Sequence, residues 1–236
     1  MTAPASPEPR LLPLASYDGS LGQRVYQALK EAILTLAYRP GEMLRKADIC
    51  EVLGVSRSPV ADAVARLSAE GLVDVIPQAG TFVARFSMAE IREGAFLREA
   101  IELAAVEVVA ARATDDQVTL LRRNLRVQEA LLADRDTRGF HQTDAEMHEL
   151  ILGFTGFRRI AQVSDTAWLH VNRARRLILP VERRVNDTLE EHRAIVEAIA
   201  ARDPDRARDA TRHHLRQLVR HLEPLERERP ELFGPV

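Results

Sequence analysis

From Leu21 onward, apolar residues recur at Val25, Leu29, Ile33 and Leu36, a spacing that gathers them on one helical face, until Arg39-Pro40-Gly41 ends the pattern. A short helix is predicted from about Lys46 to Leu53 and is closed by Gly54-Val55. The next starts at Ser56, a good N-cap, tolerates Pro59 in its first turn, and stops before Gly71. The period then changes. Residues 72–76 and 81–85 are β-like runs on either side of Pro77-Gln78-Ala79-Gly80, which reads as a hairpin. Three helices and a hairpin make a winged helix-turn-helix.

Ser87 opens a different region, in which only helical periodicity recurs, over about 88–112, 115–133, 137–153, 157–179, 185–201 and 204–227. The predicted fold is mainly α, with an N-terminal winged helix-turn-helix joined to an all-α helical bundle. The expected divisions are a disordered tail over 1–18, which carries four prolines, then the winged helix-turn-helix over 19–86, then the all-α domain over 87–230.

With 46% hydrophobic and 29% charged residues, the chain is globular rather than disordered. No apolar run nears the roughly 20 residues that cross a bilayer, and the N-terminus lacks a signal-peptide pattern, so the expected location is the cytoplasm, without membrane partners. The single cysteine, Cys50, rules out an internal disulfide and reads as a buried apolar position. The net charge of −2 excludes a protein coated with basic residues, so contact with nucleic acid has to be local.

That local surface is the start of the helix at Ser56. In a helix-turn-helix the first residues of the second helix meet phosphates and base edges in the major groove. Here they read GVSRSPV: Ser56 and Ser58 can donate to phosphates, and Arg57 can reach a guanine edge with two hydrogen bonds. Arg45 and Lys46 would lie beside the backbone. The whole stretch PGEMLRKADICEVLGVSRSPVADAVARLSAEGLVDVIPQAGTFV resembles the DNA-binding domain of the GntR family of bacterial regulators. The resemblance implies binding to a double-stranded, palindromic operator, with Gly80 at a wing tip that enters the minor groove. One departure matters: Ala61-Asp62-Ala63 stands where relatives carry Arg-Glu-Ala, so a basic DNA contact is missing.

In the second region, Asp144 and His148 are spaced i, i+4 and can face one ion together, a pairing that also arises by chance. The segments DAEMHELI, EHRAIVEAI and DPDRARDATRHHL resemble the C-terminal domain of the FadR-type branch of the same family, known as the FCD domain. That resemblance implies a divalent metal held by Asp144, His148, His192 and His214. Three imidazoles and one carboxylate suit zinc first, with nickel or manganese as alternatives. His213 lies about 100° from His214 and is a decoy; His141, His170 and His221 read as surface residues.

Arg98 matches a family position facing the central cavity, where a guanidinium can clamp an organic acid, and it is equally able to pair with Glu102 at i, i+4. Asn172 and Arg176 are further effector candidates. The reading is a homodimeric, ligand-responsive transcription regulator. Its alternatives are a metal-sensing repressor and a metal-dependent enzyme, since an open metal position can also activate water.

Overall fold

The computed structural model describes residues 10–160, 163, 168–178 and 182–234. They divide into two compact units, one formed by the chain up to Ser87 together with the residues from Arg229, the other spanning Met88–Glu228.

In the first unit, α1 (Leu21–Leu34) begins at a capping box in which Ser20 and Gln23 exchange backbone-to-side-chain hydrogen bonds. Its buried face, Val25, Leu29, Ala32 and Ile33, packs on Val60, Val64 and Leu67 of α3 (Arg57–Ala69). Between them, α2 (Lys46–Leu53) stops at Gly54, whose φ of +64° is the left-handed turn that glycine allows. Ser56 occupies the N-cap position of α3 as expected, yet its side chain makes no capping bond. Strands β1 (Val73–Ile76) and β2 (Gly80–Val83) pair antiparallel in the register Val73 to Val83 and Ile76 to Gly80. The fold is the winged helix-turn-helix that the periodicity predicts.

Three expectations for this unit change. Residues 10–18 are not a loose tail: Leu11 is buried, Arg10 pairs with Glu42 at 2.5 Å, and Tyr17 donates to Glu31 at 2.7 Å. Cys50 is half-buried rather than buried. The chain from Arg229 onward also leaves the helical unit and returns to the wing base. Phe86 N–H donates to the Leu232 carbonyl at 3.0 Å, Gly234 N–H donates to the Phe86 carbonyl at 2.8 Å, and the Phe86 and Phe233 rings lie 5.8 Å apart. Both rings are buried. Removing a buried phenyl group costs about 3 kcal/mol. Phe233→Ala is therefore expected to speed hydrogen exchange at the Phe86 and Gly234 amides while leaving the exchange of Met88–Glu228 unchanged; equal protection in variant and wild type would show that the return segment holds nothing.

The second unit is all helix among the described residues: α4 (Met88–Arg112), α5 (Asp115–Ala133), α6 (Thr137–Phe154), α7 (Leu169–Ile178), α8 (Glu182–Ala200) and α9 (Pro204–Glu228). Part of the helix expected over 157–179 lies outside the described residues. Side chains cap the starts of α5 and α6, through a Thr114–Gln117 box and through Asp136, which accepts from Gly139 N–H. Helix α4 packs against α6, α7, α8 and α9, and α5 against α6 and α8. Val106, Leu121, Phe140, Met147 and Ile195 fill the space between them. Among the described residues no helix is long and apolar enough to cross a membrane.

Candidate functional site

Asp144 and His148, one turn apart on α6, face inward together with His192 of α8 and His214 of α9, and all four side chains are buried. One ligand atom from each lies within 4.8 Å of the others. His192 Nε2 stands 3.1 Å from Asp144 Oδ1, and His148 Nε2 stands 3.2 Å from His214 Nε2.

The outer nitrogens decide what the inner ones carry. His148 Nδ1 lies 2.7 Å from Glu102 and His214 Nδ1 lies 2.8 Å from Glu191, so each donates its proton to a carboxylate. For His192 the acceptor is Gln128 Oε1 at 2.8 Å. That amide is oriented by a relay: Gln128 Nε2 donates to Asn124 Oδ1 at 2.7 Å, and Asn124 Nδ2 donates to the Thr143 carbonyl at 2.9 Å. With the Nδ1 positions protonated, His192 and His214, held neutral by burial, turn bare Nε2 lone pairs toward the centre. The His192 Nε2 and Asp144 Oδ1 lone pairs, 3.1 Å apart in a buried space, repel, and neither atom has a hydrogen-bond partner. A cation between them removes that repulsion. Two nitrogens bound to one zinc at 2.0–2.1 Å in a tetrahedron sit roughly 3.3 Å apart, close to the spacing here. The donor set fits a divalent ion, and Glu102, Gln128 and Glu191 are the outer partners that fix its ligands.

Burial holds His192 and His214 well below the ordinary histidine pKa of 6.5, with neighbouring imidazoles and Arg175 adding to the effect. Burial also lowers His141, with help from Arg175 and Arg176, to about 3. His141 and His170 are half-buried rather than surface residues. Burial alone would raise Glu102, but Arg98 and His148 outweigh it and bring the carboxyl down to about 2. For the histidines the sign is definite: folded and unfolded forms are both neutral above about 6.5, and below it only the unfolded chain gains protons. Chelator-treated protein is thus expected to lose melting temperature steadily from pH 6.5 to pH 5. A flat profile over that range would count against the burial of these rings.

Beside His214 a small cavity of about 20 Å³ is lined by Arg98, Arg175, Arg184, Thr188 and three apolar residues. Arg98 takes the cavity position that the sequence suggests and also makes the alternative pair with Glu102, at 2.5 Å. Arg184 grips Glu191 with two hydrogen bonds of 2.6 and 2.8 Å, and Arg175 pairs with Asp144. Asn172 is exposed on α7, and Arg176 is half-buried and not among the residues lining the cavity; Arg175 stands where the sequence reading put them. His213 is exposed.

In the winged helix, Arg45, Lys46, Ser56, Arg57 and Ser58 are exposed together at the starts of α2 and α3. Gly80 opens β2 with φ of +138°, a conformation other residues rarely adopt, so the hairpin requires glycine there whatever the wing touches.

Residues 21–83 match the family model described as bacterial regulatory proteins, gntR family, and residues 93–217 match the FCD domain. The chain is 34% identical, over 94% of its length and 93% of the relative's, to an uncharacterized HTH-type transcriptional regulator in an unstable DNA locus of Streptomyces ambofaciens. It is 27% identical to the HTH-type transcriptional repressor RspR of Escherichia coli strain K12, over 91% of this chain and 94% of RspR. Among solved structures, a putative GntR transcriptional regulator from Rhodococcus sp. RHA1 is similar with a TM-score of 0.74 and 25% identity, covering 85% of this chain and 96% of that one. Escherichia coli McbR/YncC has the same fold, with a TM-score of 0.74 at 19% identity over 88% of this chain and 99% of that one.

Proposed function

The chain belongs to the GntR family of bacterial regulatory proteins, as a DNA-binding transcriptional regulator with an FCD domain, and on that premise we propose that a metal and a small carboxylate control its grip on DNA. Zinc sits among Asp144, His148, His192 and His214. The observation that carries this is the set of three imidazoles whose Nδ1 protons are committed outward, leaving four converging, buried acceptors. The ion supplies a Lewis-acidic position at which a carboxylate can bind. Arg98 uses Nε on Glu102 and keeps other guanidinium donors for the same ligand. The relatives and both domain matches are regulators, which sets aside the metal-dependent enzyme.

A homodimer presents two winged helices to a palindromic operator in the cytoplasm, with Arg57, Ser56 and Ser58 in the major groove, Arg45 and Lys46 on the backbone and Gly80 at the minor groove. Helix α4 supports the dimer. Its inner face is buried, yet Phe96, Leu97, Ala100 and Ala104 on the outward side are exposed, with Phe96 at 72%. A helix apolar on both faces calls for a second covering surface.

The metal-sensing reading keeps one observation in its favour: a cavity of about 20 Å³ holds little more than one water, so a metabolite has to open it. The test combines metal analysis with sedimentation of the intact protein. The expected result is one zinc per chain and a dimer that Phe96→Asp splits into monomers still holding zinc. Metal-free protein at saturating zinc would refute the site, and an unaltered Phe96→Asp dimer would move the interface elsewhere.

A further inference from the structure

The exposed side of α3 carries a base preference of its own. Burial of Val60, Ala63, Val64 and Leu67 fixes the phase of the helix, and Arg57, Ser58, Ala61, Asp62 and Ala65 lie on the exposed side. Arg66 belongs elsewhere, because its guanidinium stacks 3.7 Å from the Tyr26 ring of α1. One arginine, two alanines and one carboxylate therefore make up most of the surface available to bases. Among the described residues Asp62 has no hydrogen-bond or ion-pair partner.

A free carboxylate brought against a polyanion is repelled unless it accepts hydrogen bonds there. In the major groove the donors are the amino groups of cytosine and adenine. Adenine sets its N7 acceptor beside the amino group, which faces the second carboxylate oxygen unfavourably. Cytosine N4 has no acceptor beside it on that edge and suits Asp or Glu. The alanines match thymine methyls, and Arg57 matches guanine.

We propose that Asp62 is a specificity-determining residue that reads a cytosine in each operator half-site. Asp62 follows Arg57 by five residues, about 7.5 Å along the helix, so this cytosine lies about two base pairs from the guanine read by Arg57. Thymine is favoured around them, opposite Ala61 and Ala65. The inference rests on the proposed entry of α3 into the major groove.

The test selects binding sites from random double-stranded DNA with the full-length protein and with Asp62→Ala, Asp62→Asn and Arg57→Ala. Both positions are exposed, and matched melting curves confirm folding. Wild type is expected to enrich one cytosine per half-site about ten-fold over other bases. Asp62→Ala loses that preference and keeps the guanine, and Asp62→Asn turns it toward adenine, the base that asparagine pairs with through two hydrogen bonds. The proposal is overturned if Asp62→Ala keeps the cytosine, or if it binds every sequence more tightly by one common factor, which marks the carboxylate as mere repulsion. If Arg57→Ala also leaves the selected sequence unchanged, α3 does not read bases, and the groove assignment has failed rather than the role of Asp62 within it.

Discussion

His192→Ala is expected to abolish stoichiometric metal binding and to lower the melting temperature of the metal-loaded protein to that of the chelated wild type. The ring is fully buried and touches both sides of the site: Nε2 faces Asp144, and Nδ1 donates to Gln128. Its loss removes a ligand and leaves the Gln128 carbonyl without its donor, at a cost of about 1–3 kcal/mol for an unmet buried group. Because the ligands come from three helices, an ion bound only to the folded chain adds its binding energy to stability, and the variant forfeits that too. Gln128→Leu keeps every ligand and is expected to weaken the metal about 10- to 100-fold, the usual effect of removing an outer partner. His213→Ala, on the exposed side of α9, keeps full metal content. Elemental analysis and competition with a chelating dye read all three; a metal-free His213→Ala beside a loaded His214→Ala would show the last helix to be in another register.

Arg57→Ala is expected to remove the guanine preference and most of the sequence-specific affinity while leaving the melting temperature unchanged. The side chain is exposed at the first turn of α3, so its truncation leaves the core intact. A bidentate arginine–guanine contact is worth about 1–3 kcal/mol of discrimination, and a symmetric dimer loses two of them. Affinity for the selected operator should fall about thirty-fold or more, toward that for random DNA of the same length. Basic and acidic residues balance in this unit, so there is little charge attraction to mask the loss. Fluorescence anisotropy at fixed salt measures it, and an operator affinity within two-fold of wild type would take Arg57 out of the interface.

Local signals made much of this protein legible. The 3.6-residue period, Gly54, Gly71 and the change to a two-residue period at Leu72 are properties of short stretches, and they placed the winged helix. The four clustered residues were reachable because Asp144 and His148 share one helical turn and the segments around His192 and His214 resemble the FCD domain. Glu102, Gln128 and Glu191 carry no such mark. Each is an ordinary polar residue on a helix, and only the packing of α4, α5 and α8 around α6 and α9 turns it toward a histidine. Arg175 was missed for a related reason: choosing the Asn172–Arg176 stripe over its neighbour about 100° away depends on which face of α7 meets Asp144. The return of Leu232 and Phe233 to Phe86 pairs residues more than half the chain apart, a contact that no local pattern encodes.

The most direct measurement is the affinity of the intact protein for its selected operator in three states: chelated, zinc-loaded, and zinc-loaded with a panel of small organic acids. A ligand shifts an equilibrium only by its differential affinity for the two states. The account predicts that at least one acid changes operator Kd by about ten-fold or more in the zinc-loaded protein, and that it changes nothing in chelated protein or in His192→Ala. An operator Kd that is the same in all three states, across the panel, would contradict it.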